Sequence, residues 1–194
     1  MKHLIIFAHP NPASFNSSLV KALHNHLLNQ GDEVKLRHLY ELRFNPVLSA
    51  DDFSSIADNK TPKDIEIEQE YVKWADHIIF VFPVWWGGMP AIMKGYIDRV
   101  FADGFAYEYV ADGSNGLLSP RKGSTICSTG AYSEDYKHVH DAMNVLSIET
   151  IFGFTGITFY KSLFYGGVPL VSDEVRNEYI QNALREFSDI NRIV

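Results

Sequence analysis

The chain has 194 residues, of which 46% are hydrophobic and 21% charged, and its formal net charge is −7 at pH 7. This length suits one domain over residues 1–194. The acidic balance argues against a nucleic-acid partner, and the single cysteine, Cys127, excludes an intrachain disulfide and an all-thiolate metal site. No apolar run is long enough to cross a membrane, and no signal-peptide pattern is present, so we expect a cytoplasmic protein that is not membrane-embedded.

Five segments have the sequence pattern of β-strands. Residues 4–8 form a continuous apolar run, which is typical of a strand buried on both faces. Residues 33–39 alternate between apolar and polar side chains, which predicts a strand with a more solvated face. Further strands are predicted over residues 77–82, 124–129 and 156–164.

Helices are predicted between and after these strands. Their expected ranges are residues 16–30, 65–75, 91–101, 139–152 and 173–190. Gly31 suits the position just past the end of the first helix, and Asp173 and Glu174 place negative charge in the first turn of the last one. The remaining segments are predicted to form loops at 44–48, 59–63, 104–118 and 130–137, and a short helical turn at 49–53.

Strands that alternate with helices imply right-handed crossovers and a parallel sheet. With five strands, the sequence predicts an α/β, flavodoxin-like three-layer sandwich with strand order 2-1-3-4-5. In such open sheets, ligands bind at the carboxyl ends of the strands.

The segment 80–95 begins as a buried strand, breaks at Pro83, and then presents Trp85 and Trp86 before two glycines. The two tryptophans could flank a planar ring, and loop amides could bind its polar edge; a pair of surface or interface tryptophans is the alternative. We favour a platform for a flat aromatic cofactor, because two prolines and two glycines fix an unusual backbone here and ligand pockets tend to form at strand ends.

Two other strand ends carry features of a binding site. Ser14, Asn16 and Ser18, with the free N–H groups of the first helix, could cradle a phosphate; a capped helix after a proline loop is the alternative. The sequence contains neither a Walker motif nor G-x-G-x-x-G. After the fourth strand, Gly130 would let the backbone approach a ligand closely.

Tyr136 and His140 are four residues apart and would share one helix face. Such a pair can relay a proton, because histidine titrates near neutrality; a simple surface pair is the alternative. His24 with His26, and His138 with His140, are spaced by two and would diverge on a helix, so we expect no metal site.

Four segments resemble the flavodoxin-like NAD(P)H:quinone oxidoreductases of the DT-diaphorase type and their shorter bacterial relatives. They lie at residues 8–16, 44–46, 82–101 and 104–107, and the third is long and specific. The resemblance implies a non-covalently bound flavin, FAD with FMN as the alternative, and NAD(P)H as co-substrate. It also implies ping-pong two-electron transfer to a quinone-like acceptor, and a homodimer with the flavin at the subunit interface.

The resemblance also assigns site residues by position. The flavin phosphate and ribityl chain would be surrounded by His9, Ser14, Phe15, Asn16 and Ser18. The isoalloxazine would be lined by Pro83, Val84, Trp85, Trp86 and Gly87, and closed on its other side by Thr129, Gly130 and Ala131. The family's active-site tyrosine and histidine match Tyr136 and His140.

Two further expectations concern the third loop. Backbone N–H groups near residues 84–86 would stabilise negative charge on the reduced cofactor. Family members usually carry another aromatic residue where Gly87 stands, so we expect a roomier pocket.

Two other functions stay open: a flavin-binding regulatory subunit of a membrane transport system, and a reductase of azo or nitro compounds. The sequence does not specify NADH or NADPH.

Overall fold

The computed structural model describes residues 1–58, 60–188 and 190. Its helices and strands follow one another as β1 (Lys2–Phe7), α1 (Phe15–Asn29), β2 (Glu33–His38), α2 (Ala50–Ala57), α3 (Lys63–Trp74), β3 (His77–Pro83), α4 (Ala91–Val100), β4 (Tyr107–Val110), β5 (Gly113–Gly116), β6 (Lys122–Ser128), α5 (Lys137–Val145), a π-helix (Leu146–Gly153), β7 (Thr158–Tyr165) and α6 (Asp173–Ser188). Within the described residues, no helix has the length and apolar character needed to cross a membrane.

Five parallel strands form the main sheet, in the order β2-β1-β3-β6-β7. Because β4 and β5 pair only with each other, this confirms the predicted flavodoxin-like order. Alternate side chains of β1 enter two different cores: Ile6 belongs to the cluster on the α3 and α4 face, and Ile5 to the cluster on the α1 and α6 face. Burying each of these side chains stabilises the fold by roughly 1.5–3 kcal/mol.

The predicted segment 104–118 is not irregular, and this expectation was wrong. Tyr107–Val110 pairs antiparallel with Gly113–Gly116 and forms a hairpin beside the main sheet. The second strand contains only glycine, serine and asparagine, so it shows no apolar pattern. Its place is fixed by close packing, because a Cβ on Gly116 would overlap the backbone at Gly156.

Two predicted helices have a different extent in the structure. The single helix expected over 139–152 is α5 followed by the π-helix, with a change of hydrogen-bond pattern at Leu146. The short turn expected at 49–53 is the full helix α2. Its start is a capping box, in which Asp52 N–H donates to Ser49 Oγ (3.3 Å) and Ser49 N–H to Asp52 Oδ2 (2.9 Å).

The other predicted elements agree with the structure to within two residues at each end. Residue 59, in the predicted loop 59–63, and residue 189, in the predicted helix 173–190, lie outside the described residues.

The loop at residues 44–46 packs directly on α4. Gly95 makes this possible, since a Cβ there would overlap the backbone of Pro46. Arg99 then joins α4 to the loop and to α2: its guanidinium donates to Asn45 O (3.0 Å) and to Asp52 Oδ1 (2.8 Å). Residues 44–46 and 82–101, two of the segments that carry the family resemblance, therefore pack against each other.

Candidate active site

The residues at the end of the third strand are buried. Pro83 is the last residue of β3 and is buried, and Val84 is 6% exposed. Val84 N–H donates to Ser128 O (2.7 Å), which extends the ladder to β6 by one bond. Both predicted lining residues thus form the floor beneath the loop, with little side-chain surface of their own.

The two tryptophans lie in a tight two-residue turn. Trp85 N–H donates to Gly88 O (3.0 Å), and Gly88 N–H returns a bond to Trp85 O (3.1 Å). The central residues, Trp86 (φ 53°) and Gly87 (φ 74°), both have left-handed backbones. This is the pattern of a type I′ turn, in which both central residues have positive φ.

Trp86 is unusual in both backbone and exposure. A non-glycine residue with left-handed φ costs about 1–2 kcal/mol, and the bulky side chain gains no packing in return because its relative exposure is 103%. Strained, exposed residues of this kind concentrate at ligand-binding sites. The geometry therefore favours a ligand platform over a structural role for Trp86.

The expected amide donors are only partly available. The N–H groups of Val84 and Trp85 are both used within the protein, by Ser128 O and Gly88 O. The N–H groups of Trp86 and Gly87 donate to no described residue. The expectation of N–H donors over residues 84–86 therefore needs correction. The N–H of Val84 extends the strand ladder and that of Trp85 closes the turn, so the N–H groups left for a ligand are those of residues 86 and 87.

The first loop meets the third through His9. Its ring lies 5.8 Å from the ring of Trp85, edge to face. His38 Nε2 bonds the carbonyl of His9 (2.9 Å), and Asn11 N–H donates to His9 Nδ1 (3.0 Å), so the residue is held from both sides. Burial lowers the pKa of His9. His38 was not identified from the sequence, because its role depends on a contact between distant loops.

The start of α1 has the donors that an anion requires. Ser14 caps the helix, and its Oγ accepts from Ser17 N–H (3.1 Å). The N–H groups of Phe15 and Asn16 donate to no described residue. The side chain of Asn16 is 3% exposed and likewise forms no hydrogen bond with a described residue. These groups fit a phosphate, which helix N-termini bind through such amides.

The other two predicted residues of this loop are placed differently. Phe15 turns its ring toward α6, with centroids 6.0 Å from Tyr165 and 6.2 Å from Tyr179. Ser18 is exposed on the first turn. Phe15 therefore offers the site its backbone N–H, while its ring packs in the core.

The fourth loop is fixed by the loop that follows β7. Thr129 N–H donates to Tyr165 O (2.9 Å), Val168 N–H to Thr129 O (3.1 Å) and Gly167 N–H to Ala131 O (2.6 Å). Gly130 between them is exposed. The sequence reasoning missed the β7 loop, although two consecutive glycines after a predicted strand, at 166 and 167, were a usable signal.

Tyr136 and His140 lie at the start of α5, after this fourth loop. His140 N–H donates to Tyr136 O (3.0 Å), and both side chains are half-buried. The ring of His140 packs on Phe164 of β7, with centroids 4.6 Å apart, and its Nε2 lies 3.2 Å from Asn144 Nδ2. Their side chains form no hydrogen bond with each other in the described structure.

Two cavities of the described structure lie away from these strand ends. One of about 560 Å³ is bounded by α2, α3 and the end of α4. The other, of about 610 Å³, is bounded by Phe53, Ile97, Tyr109 and Phe154. Neither is lined by the predicted site residues at the strand ends, so the candidate site is assigned from those residues and not from a cavity. No cluster suited to a metal ion occurs among the described residues.

The sequence matches the model of a family described by its flavodoxin-like fold, over residues 1–190. The chain belongs to this family. An uncharacterized NAD(P)H oxidoreductase of Haemophilus influenzae is 35% identical, with 96% of this chain and 94% of the relative covered. NAD(P)H dehydrogenase [quinone] 1 of Cavia porcellus is 31% identical, with 96% and 76% covered.

Solved structures of other proteins agree with the fold. The NAD(P)H:quinone oxidoreductase of Methanothermobacter marburgensis has a TM-score of 0.87 and 28% identity, with 95% of this chain and 96% of that chain covered. An FMN-dependent NADH-azoreductase of Bacillus anthracis, solved with FMN, has a TM-score of 0.74 and 20% identity, with 95% and 96% covered. At that identity, the second likeness concerns the fold alone.

Proposed function

We propose that this flavodoxin-like protein is a flavin-dependent NAD(P)H:quinone oxidoreductase. The observation that carries the proposal is the meeting of the exposed tryptophan turn with His9 and the open start of α1 at the carboxyl edge of the sheet. The names of the relatives, which specify NAD(P)H and quinone, support the same activity.

The residues present fit a flavin. The free N–H groups of Phe15 and Asn16 and the buried Asn16 amide would hold its phosphate. Trp86 would lie along the ring system, with the free N–H groups of Trp86 and Gly87 at its polar edge. Thr129, Gly130 and Ala131 would close the other side. FAD is favoured by the sequence motifs, and FMN is the alternative that the azoreductase binds on the same fold.

When bound, the flavin supplies the two-electron chemistry between NAD(P)H and the acceptor in two separate half-reactions. The protein orients the reactants and exchanges protons. The N–H groups of Trp86 and Gly87 would stabilise negative charge at the ring edge. Tyr136 and His140 would hold or move the proton that the acceptor needs, since both lie on the first turn of α5 at the same edge.

We further propose a homodimer with the flavin at the subunit interface, in which the partner binds an apolar face beside the platform and extends over it. The large cavity beside the hairpin is mainly apolar, and the exposed rings of Phe53, Tyr109 and Phe154 surround it. Exposed apolar surface of this kind marks an interaction site. A second subunit would close the platform and complete the acceptor pocket. We place the enzyme in the cytoplasm, where its reductant is present.

The decisive experiment is to purify the protein and identify any released flavin by mass spectrometry. The apoprotein is then reconstituted with FAD or FMN, and reduction by NADH or NADPH is followed anaerobically. Reduction followed by steady-state turnover with menadione is expected. Failure to bind either flavin, or binding without reduction by either nucleotide, would refute the proposal. Turnover with azo compounds but not quinones would reassign the acceptor, and flavin binding without turnover would favour a regulatory subunit.

A further inference from the structure

His140 and Asn144 form a side-chain pair on one face of α5. The Asn144 amide nitrogen Nδ2 lies 3.2 Å from His140 Nε2. The spacing of four residues brings the two side chains one above the other. One face of the imidazole packs on Phe164 of β7, whose ring centroid lies 4.6 Å away. The ring of His140 is therefore held between an apolar wall and one amide.

With the Asn144 amide in this orientation, the contact determines which nitrogen of a neutral His140 carries the proton. An amide NH₂ group is a donor only, so Nε2 must accept with its lone pair, and a neutral His140 carries its hydrogen on Nδ1. The two ring nitrogens point in divergent directions, so Nδ1 faces away from Asn144. No described residue bonds Nδ1, which leaves this N–H open to a ligand.

The arrangement has a second feature, an unpaired acceptor. Asn144 Oδ1 is buried and has no partner among the described residues, and the same holds for Ser147 Oγ at the start of the π-helix. Leaving a buried acceptor without a partner costs about 1–3 kcal/mol. Turning the amide over would bring Oδ1 to His140 Nε2, where it could accept a hydrogen bond only from a protonated Nε2.

We propose that Asn144 is a positioning residue for His140: it holds the neutral imidazole with its N–H on Nδ1, and it turns its amide over when Nε2 becomes protonated. This rests on the proposed function, in which His140 moves a proton. Reduction of a quinone to a hydroquinone takes a hydride and one further proton. The imidazolium would give that proton from Nδ1 and become the neutral form with its hydrogen on Nε2, which the turned amide oxygen accepts. Solvent would then return a proton to Nδ1, and loss of the Nε2 proton would let the amide turn back.

Among the groups around His140, Asn144 is the polar side chain that contacts its ring nitrogen. From β7, the facing group is the apolar ring of Phe164. On α5 and at its N-cap, the titratable side chains within one turn of His140 are Tyr136, Lys137, His138 and Asp141. None of the charged side chains in the described residues forms an ion pair with His140.

The test compares Asn144→Asp and Asn144→Leu with the wild type, and uses Asn25→Asp as a matched control at an exposed position of α1. Nitrogen-15 NMR of the imidazoles reports the tautomer without any turnover, and His140→Gln identifies the resonance. In the wild type at high pH, the hydrogen is expected on Nδ1. Asn144→Leu should shift it toward Nε2. Asn144→Asp should keep Nε2 protonated to a pH at least about one unit higher, because a carboxylate accepts that hydrogen bond.

Kinetics provide the second readout. In Asn144→Asp, the pH profile of kcat with menadione should move upward by about the same unit, while the rate of flavin reduction by NAD(P)H stays unchanged. A wild-type hydrogen on Nε2, or a tautomer unaffected by Asn144→Leu, would overturn the proposal. If Asn144→Leu does not fold, the near-isosteric aspartate variant still decides it: an unmoved imidazole titration refutes the pairing. An NMR effect in a protein that turns over no quinone would refute the proposed function and leave the pairing intact.

Discussion

His3 and His77 face each other across neighbouring strands, with their Nδ1 atoms 3.1 Å apart. Both side chains are fully buried, at paired positions of β1 and β3. His3 Nε2 lies 3.3 Å from Asp32 Oδ2, and His77 Nε2 lies 2.8 Å from Ser124 Oγ. Since the carboxylate can only accept, His3 carries its hydrogen on Nε2, His77 carries its own on Nδ1, and Ser124 donates. The chain of bonds is complete when both rings are neutral.

This chain predicts that the protein loses stability on mild acidification. Burial lowers the pKa of His3 and lowers that of His77 well below its ordinary value of 6.5, and for His77 the charge of Lys122 adds to the effect. Between these lowered values and 6.5, the unfolded chain binds more protons than the folded one. The free energy of unfolding therefore falls as pH falls below 6.5, by up to about 1.4 kcal/mol per pH unit for each histidine.

Urea unfolding at several pH values between 7.5 and 5.5 measures this slope. His77→Gln removes one buried titrating group, so its slope should be lower by about 1.4 kcal/mol per pH unit. The exposed His138→Gln removes a histidine without burial, and its slope should match the wild type. Equal slopes for wild type and His77→Gln would contradict the prediction.

Gly95→Ala should destabilise the protein, although alanine is the better helix former. In an open helix this change would stabilise by about 0.5–1 kcal/mol. Here the added Cβ overlaps the backbone of Pro46, and such overpacking costs about 1–3 kcal/mol. Urea unfolding gives the sign directly. Gly88→Ala is the control, because its Cβ would meet open space. A more stable Gly95→Ala variant would show that the loop does not need this close approach.

The contact between Gly95 and Pro46 also shows what the sequence could not predict. The strands followed from short-range apolar patterns, as in residues 4–8, because burial on both faces of a parallel sheet leaves a continuous run. Their order followed from the alternation of five strands with helices. The roles of Gly95, His38 and Asn144 depend on partners that come close only after folding. The hairpin strand Gly113–Gly116 was missed because its side chains carry no pattern at all.

The candidate site also has features that the sequence could predict and features that it could not. The sequence could predict that Trp85, Trp86 and the start of α1 lie just after buried strands, because aromatic residues and glycines after a buried strand are a local signal. The sequence could not predict that the N–H groups of Val84 and Trp85 form hydrogen bonds within the protein, since this depends on the register of β6 and on the turn type. The π-helix after α5 leaves no signal in helical periodicity.

Trp86→Asn should make the apoprotein more stable and its flavin binding weaker. Asparagine tolerates the left-handed backbone at φ 53°, which relieves about 1 kcal/mol of strain. The exposed indole makes no packing contact whose loss would offset this gain. Removing the platform should weaken flavin binding, which is measured by titration of the apoprotein.

Arg43→Asn is the matched control for Trp86. Arg43 has a similar backbone (φ 51°) and is exposed, but it is not one of the predicted flavin-binding residues. It should gain similar stability and keep its flavin affinity. If Trp86→Asn also keeps its affinity, the strained turn is not the cofactor platform.

Tyr136→Phe should lower turnover with menadione by about 100-fold, the lower end of what a positioned proton donor contributes. Reduction of the flavin by NAD(P)H needs no proton from this hydroxyl, so its anaerobic rate should stay at the wild-type value. Tyr132→Phe is the control, because it removes the same hydroxyl from an exposed position of the same loop. Both variants delete one oxygen and keep the ring, so a difference between them reports proton transfer rather than packing. Unchanged turnover in Tyr136→Phe would leave His140 as the remaining proton donor at this edge of the sheet.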